Sequence, residues 1–303
     1  MRKVLLTGIT GFLGSHIAER LLSENVIIVG IKRTDSNTWR CISFYDQIDW
    51  VVIDEGNDFI DKIVAKNIDT IIHGAWIGVD ATGRNDWNEQ IKNIFFMGQL
   101  IDIASQSKVS KFIMLGSQSE YGVLNSIAIE SQISEANNAY AATKLACLEI
   151  LKVFCNKQHI IWIWTRVFSV FGEKEDESWL IPSTVLKMKS GSEMDFSAGE
   201  QRYGYLYVKD FSNIIVALTT KTIESGIYNV SSETALELRG LIEKIKLKVN
   251  RNFTLNFGAL PYRENQSTHI QGDISKLKGQ IGNIKFTDFN VALENTINYY
   301  LKK

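Results

Sequence analysis

The 303-residue chain is 45% hydrophobic and 22% charged, a globular composition without the bias of disordered or fibrous sequences. Its 33 Lys and Arg balance 34 Asp and Glu, so no sequence-wide positive excess exists to bind nucleic acid or an anionic membrane surface. Cys41, Cys147 and Cys155 offer neither a disulfide framework nor a metal-ligand spacing; they read as buried apolar residues of a reducing compartment, with no metal expected. The apolar run near the N-terminus is too short for the core of a signal peptide. No segment reaches the ~18–20 uninterrupted apolar residues of a membrane span, so the expectation is a cytoplasmic protein.

Lys3 to Thr7 is a β-rich run ending in glycines, and Gly14 to Ser23 carries Ile17, Leu21 and Leu22 at helical spacing. Val26 to Ile31, Asp49 to Ile53 and Thr70 to His73 are uninterrupted β-branched runs, as expected of strands covered on both faces. Phe59 to Lys66 and Trp87 to Gln106 between and after them read as helices. Lys111 to Leu115 follows as a strand, Tyr140 to Lys157 as a helix and Ile160 to Thr165 as a strand. The alternation predicts a Rossmann-type doubly wound parallel α/β sheet over residues 1–170. After Gly172 comes a polar stretch and a helix near Ile181 to Lys189, then an irregular pattern. Residues 171–303 are therefore expected to form a smaller C-terminal substrate lobe, with some segments returning to the first domain.

The segment Gly8-Ile9-Thr10-Gly11-Phe12-Leu13-Gly14 joins a predicted strand to a predicted helix. In that setting one glycine permits the tight turn, a second lets the backbone approach a pyrophosphate, and a third allows close helix packing. The N–H groups at the helix start then favour anionic phosphates. Where the second strand ends, an acid would hold a free ribose 2′-hydroxyl, but here stand Lys32 and Arg33. Two cations can bind a 2′-phosphate, which favours NADP(H) and leaves NAD(H) possible, since nearby Asp35 can reach a ribose hydroxyl. The competing reading of Lys32 and Arg33 is a pair of solvated loop charges.

Tyr140 and Lys144 stand four residues apart near the start of a helix and so project from one face. A phenol with its ordinary pKa near ~10 is a poor acid or base at neutral pH, and a nearby ammonium stabilises its phenolate. Ser117 is expected just past a strand end, where open α/β sheets keep their ligand crevice, and there it can donate to a substrate carbonyl.

Together these segments resemble the extended short-chain dehydrogenase/reductase family, in its NAD-dependent epimerase/dehydratase branch. Thr7 to Gly14 matches the T-G-x-x-G-F-x-G turn, Tyr140 to Lys144 the Y-x-x-x-K pentad, and Ser117 the serine of S-x-x-x-Y-G. The resemblance implies that Ile72 to Ala75 passes under the nicotinamide ribose, with Ala75 touching the cofactor, and that Asp54 meets the adenine amine. It also implies that Asn93 supports Lys144 through backbone and water, that Ser169 lies near the substrate, and that Arg202 and Arg263 grip a nucleotide diphosphate. Two positions depart from the pattern: Phe96 replaces a glycine, and Ser169 an asparagine. Family members commonly pair through two helices as a four-helix bundle. The Trp87 to Gln106 and Tyr140 to Lys157 helices, apolar around much of their girth, fit a homodimer of that kind.

Dehydratases of this family resemble one another in an Asp-Glu pair after the catalytic hydroxyl; Gln118 and Ser119 stand there and cannot serve as general acid or base. Epimerases usually keep the acid after the second strand. The expected function is therefore NADPH-dependent reduction of a keto group, at C4, on a nucleotide-linked 6-deoxyhexosulose for surface polysaccharide. The alternatives are a nucleotide-sugar epimerase and, from another class, a non-catalytic NADP(H)-sensing protein. An acyl hydrolase built on Ser117 lacks a base.

Overall fold

Residues 2–53, 58–80 and 82–303 are described by the computed structural model. The first half runs β1 (Lys3–Thr7), α1 (Phe12–Ser23), β2 (Ile27–Lys32), β3 (Asp49–Val52), α2 (Asp58–Val64) and β4 (Thr70–His73). It continues with α3 (Trp87–Gln106), β5 (Lys111–Ser117), β6 (Asn125–Ala128), α4 (Ala139–Gln158) and β7 (Ile161–Val167). The bounds of α3 match expectation because its start is capped by Asp86, whose carboxylate accepts from the N–H groups of Asn88 at 2.9 Å and Glu89 at 3.2 Å. Asn138 caps α4 in the same way, accepting from Ala141 N–H at 2.8 Å.

The second half contains β8 (Val170–Phe171), α5 (Leu180–Ser190), β9 (Glu193–Phe196), β10 (Arg202–Tyr203), β11 (Leu206–Tyr207), α6 (Val208–Thr220) and β12 (Gly226–Val230). It ends with β13 (Leu236–Glu237), α7 (Leu238–Val249), β14 (Thr254–Phe257), β15 (His269–Gly272), α8 (Ser275–Ile281) and α9 (Phe289–Leu301).

Seven strands form one parallel sheet in the order β12-β7-β5-β4-β1-β2-β3, the doubly wound α/β arrangement. The order reverses between β1 and β4, and at the C-terminal ends of such a pair open α/β sheets keep their ligand crevice. Strand periodicity splits the core between the two faces. Val4, Leu6, Ile28 and Ile72 pack toward α1 and α6, while Leu5, Val29, Ile71 and Phe112 pack toward α2, α3 and α4. Each of these fully enclosed side chains contributes roughly 1.5–3 kcal/mol by leaving water. A third apolar cluster joins α5, α7 and α9 in the second half. β12 and α6, though late in sequence, belong to the seven-stranded sheet and its helical cover. Among the described residues no helix is long and apolar enough to cross a membrane.

Candidate active site

The turn after β1 is built by contacts that leave no space for side chains. Gly8 has φ +73°, and a Cβ there would lie 2.6 Å from Ala75 N; one on Gly14 would lie 2.1 Å from the Gly8 carbonyl oxygen. Gly11 N–H donates to that same oxygen at 3.0 Å. α1 opens behind the turn with Gly11 as its N-cap and no side-chain cap, which leaves first-turn N–H groups for a ligand. Thr10, Phe12 and Leu13 lie in and just after this turn. A backbone stripped of Cβ atoms at a helix start fits the pyrophosphate of a dinucleotide.

Thr7 ties the two sides of the crevice together. Its hydroxyl accepts from Ala75 N–H at 3.1 Å and shares a 2.6 Å hydrogen bond with His73 Nδ1. Burial, and then the nearby Lys144, push the His73 imidazole down to about 3, so it is neutral. Phe96, in place of the family glycine, packs edge-on against that imidazole with ring centroids 5.5 Å apart.

Ser117 is the last residue of β5, which runs two residues beyond the strand expected from sequence, rather than a loop residue past its end. It also caps the short turn that follows. Its hydroxyl accepts from Ser119 N–H at 3.1 Å, and its own N–H donates to Glu120 Oε1 at 2.7 Å. Glu120 is fully buried. Its carboxylate receives Trp164 Nε1–H at 3.0 Å and pairs with Arg166 Nε at 2.9 Å. Burial pushes this carboxyl up and the Arg166 charge opposes it. Gly116 is required here, since a Cβ would meet Trp164 Nε1 at 2.1 Å.

The structure brings Tyr140 and Lys144 of α4 against Ser117 of β5. Both are buried, and the Ser117 hydroxyl is near enough to the Tyr140 phenol to favour its ionisation. Lys144 Nζ donates to the Leu115 carbonyl at 2.7 Å and lies 3.5 Å from the centroid of the Trp76 ring. Burial lowers it to about 7. The ammonium is 5.8 Å from the Tyr140 ring centroid and is directed at backbone rather than at the phenol. Burial accordingly raises the Tyr140 phenol, against the pull of Ser117 and Arg84.

Asn93 makes its bonds to backbone. Its amide clamps the backbone of Ile77, accepting from N–H at 2.8 Å and donating to the carbonyl at 3.2 Å. One helical turn earlier the fully buried Gln90 accepts from Trp76 Nε1–H at 2.9 Å and donates to the carbonyls of Gly78 and Gly83 at 2.8 Å each. Trp76, Gln90 and Arg84 were not anticipated. The available signal was Gln90 and Asn93, two amides three residues apart on a helix face that must meet the sheet.

At the second strand end, Lys32 Nζ lies 5.5 Å and 5.8 Å from the ring centroids of Tyr45 and Trp50, and Arg33 makes an exposed ion pair with Asp35 at 3.3 Å. Asp54 lies outside the described residues. Ser169 is half-buried, its carbonyl accepting from Leu206 N–H at 2.8 Å. Arg202 and Arg263 are exposed and, among the described residues, pair with no acid; Arg202 donates to the Ala235 carbonyl at 3.4 Å. The structure thus gathers Ser117, Tyr140 and Lys144 at one point and leaves the two arginines on the surface of the second half.

Comparison with known proteins places this geometry. The model of the NAD dependent epimerase/dehydratase family matches residues 4–231. CDP-abequose synthase of Salmonella muenchen is 25% identical over 288 residues, 91% of this chain and 90% of that protein. A putative UDP-glucose 4-epimerase of Methanocaldococcus jannaschii is 24% identical over 255 residues, 81% of this chain and 82% of that one. In fold, the chain resembles the UDP-glucose 4-epimerase of Thermotoga maritima, with a TM-score of 0.89 at 18% identity over 99% of both chains. It also resembles a Bacillus cereus UDP-glucuronic acid 4-epimerase variant solved with NAD, with a TM-score of 0.88 at 22% identity over 99% of both chains. With most of its length matched and the glycine turn, serine and Tyr–Lys pair in one crevice, the chain belongs to the NAD dependent epimerase/dehydratase family of extended short-chain dehydrogenase/reductase enzymes.

Proposed function

We propose that this enzyme uses NADPH to reduce a keto group, at C4, of a nucleotide-linked 6-deoxyhexosulose in deoxysugar biosynthesis for surface polysaccharide. The observation that carries the reading is the gathering of Ser117, at the end of β5, with the buried Tyr140 and, one helical turn on, Lys144, beside the sheet's switch point. Gln118 and Ser119 beside Ser117 carry no carboxylate, which argues against water elimination. The relative whose name is CDP-abequose synthase supports a nucleotide-sugar substrate. Lys32 and Arg33 support NADPH. The Arg33–Asp35 pair is exposed, and such pairs are worth about 0–1 kcal/mol, so the guanidinium is readily given up to a 2′-phosphate.

When bound, the nicotinamide supplies a hydride from C4 to the substrate carbonyl carbon. Ser117 orients the carbonyl oxygen by hydrogen bonding. Tyr140 gives its phenolic proton to that oxygen as the new C–H bond forms, so the ketone becomes an alcohol and the phenol a phenolate, later reprotonated from solvent. Lys144 donates one hydrogen to Leu115 and keeps two for the ribose hydroxyls of the cofactor. Residues 1–170 hold the dinucleotide with Gly8 to Gly14 and Ala75. Residues 171–303 chiefly hold the nucleotide sugar, with Arg202 and Arg263 toward its diphosphate and Ser169 toward the sugar. Ile91 and Phe95 on α3 and Val153 on α4 are 42%, 72% and 55% exposed, a face suited to a homodimer through a four-helix bundle, whereas Leu148 and Leu151 face inward.

NADPH oxidation with a panel of nucleotide 4-keto-6-deoxysugars tests the proposal. Turnover is expected with at least one of them and falls by roughly a thousandfold in Tyr140→Phe. No oxidation on any, together with C4 inversion of a simple nucleotide sugar, hands the site to the epimerase reading. NADPH binding with every activity indifferent to Tyr140→Phe hands it to the sensor reading.

A further inference from the structure

The segments Trp76 to Asp80 and Thr82 to Asp86 lie ahead of α3 and belong to none of the sequence motifs, and the turn at Gly83–Asn85 packs against α4. Hydrogen bonds hold the two segments together. Asp80 Oδ1 accepts from the N–H groups of Thr82 at 3.0 Å and Gly83 at 2.9 Å, while the buried Gln90 amide bridges the carbonyls of Gly78 and Gly83. Gly78 has φ +73°, and a Cβ there would collide with Gln90 Nε2 at 2.5 Å. This frame presents Arg84, whose Nε donates to the Val79 carbonyl at 2.8 Å. Its guanidinium carbon lies 5.0 Å from the centroid of the Tyr140 ring and 5.9 Å from that of Trp179, which leads into α5. No carboxylate pairs with Arg84 among the described residues.

We propose that Arg84 is a positioning residue for Tyr140, supplying from the ring face the standing positive charge that favours the phenolate left by proton transfer. The inference rests on the reading of Tyr140 as the proton donor. Four polar or charged groups face the phenol: Ser117 from β5, Lys144 from α4, Glu120 from the turn after β5, and Arg84. Glu120 opposes ionisation, but its charge is matched by Arg166 at 2.9 Å. Lys144 Nζ sits farther from the ring centroid than Arg84 and is bonded to the Leu115 carbonyl. A guanidinium stays protonated at any working pH. Of the two cations facing the phenol, Arg84 is the nearer to the ring.

The test is fluorine NMR of the cofactor-free, fluorotyrosine-labelled protein, because the fluorinated phenol ionises in a pH range where the fold survives. The resonance lost in Tyr140→Phe identifies one ring among ten tyrosines. Arg84→Gln and Arg84→Met should each move that resonance's titration up by about one pH unit, and Arg84→Lys should restore most of the difference. In turnover, kcat should fall about tenfold with KM little changed. Two uncharged variants guard against one that fails to fold, checked by circular dichroism. An unmoved Tyr140 titration in a folded uncharged variant overturns the proposal. Since the titration needs no substrate, absence of turnover would count against the reaction assigned above without touching the Arg84 result.

Discussion

The glycine turn and the arginine-bearing surface of the second half are held in different physical ways, and on the proposed reading each meets phosphates accordingly. At the turn, Gly8, Gly11 and Gly14 approach one another and Ala75 so closely that any Cβ at Gly8 or Gly14 meets backbone, and recognition falls to N–H groups fixed by the fold. On the other surface Arg202 and Arg263 are exposed side chains, Arg202 held by a 3.4 Å bond to the Ala235 carbonyl. A site made of backbone is rigid before binding and tolerates no substitution. A site made of long side chains is adaptable and must lose rotamer freedom on binding. If the proposed roles hold, the cofactor side is preorganised and the substrate side open to change.

The severest test of this contrast is Gly14→Ala. Its methyl would meet the Gly8 carbonyl oxygen at 2.1 Å, so the turn must open. NADPH affinity, measured by fluorescence titration, should fall at least roughly a hundredfold, while Arg202→Ala leaves NADPH binding unchanged. A Gly14→Ala protein binding NADPH normally would remove the argument for a backbone-built cradle. Arg33→Ala sharpens the comparison by removing a side-chain contact at the otherwise backbone-dominated end. It should weaken NADPH about tenfold and leave NADH unaffected, as expected for one lost charge-assisted hydrogen bond to the 2′-phosphate. Equal loss for both dinucleotides would return Arg33 to the role of a solvated loop charge.

The smallest effect concerns stability. Glu175, buried near the junction of the two halves, is pushed by burial up to about 8, and its Oε2 finds no partner. Its folded pKa lies above the unfolded value, so its contribution is fully present below the ordinary carboxylate pKa and is lost as pH rises toward 8. Glu175→Gln should raise Tm at pH 8 by a few degrees relative to the parent and change it little at pH 5. A Tm difference independent of pH would show that Glu175 is ionised in the fold.

The sheet could be read from sequence because its strands are enclosed on both faces and its helices are capped by Asp86 and Asn138, features that leave direct marks in residue type. The same holds for the turn, where only glycine fits. Ser117, Tyr140 and Lys144 were readable as types at fixed spacings, but not the direction of the Lys144 ammonium, which depends on Leu115 and Trp76 from other strands and loops. Arg84 escaped for the same reason. Its role comes from a loop folded back by Gln90 over Tyr140, a tertiary placement with no periodicity and no required residue at its own position. In the second half, short strands such as β10 and β13 pair across long sequence separations, and no local pattern announces them.

The central claim is that hydride leaves the dinucleotide for the sugar and stays there. Incubation of the enzyme with NADPH deuterated at the transferred position and a nucleotide 4-keto-6-deoxysugar, followed by NMR of the sugar, measures this directly. The account predicts one deuterium at C4 and one NADP+ formed for each alcohol produced. An inverted sugar without deuterium and without net cofactor oxidation would contradict it.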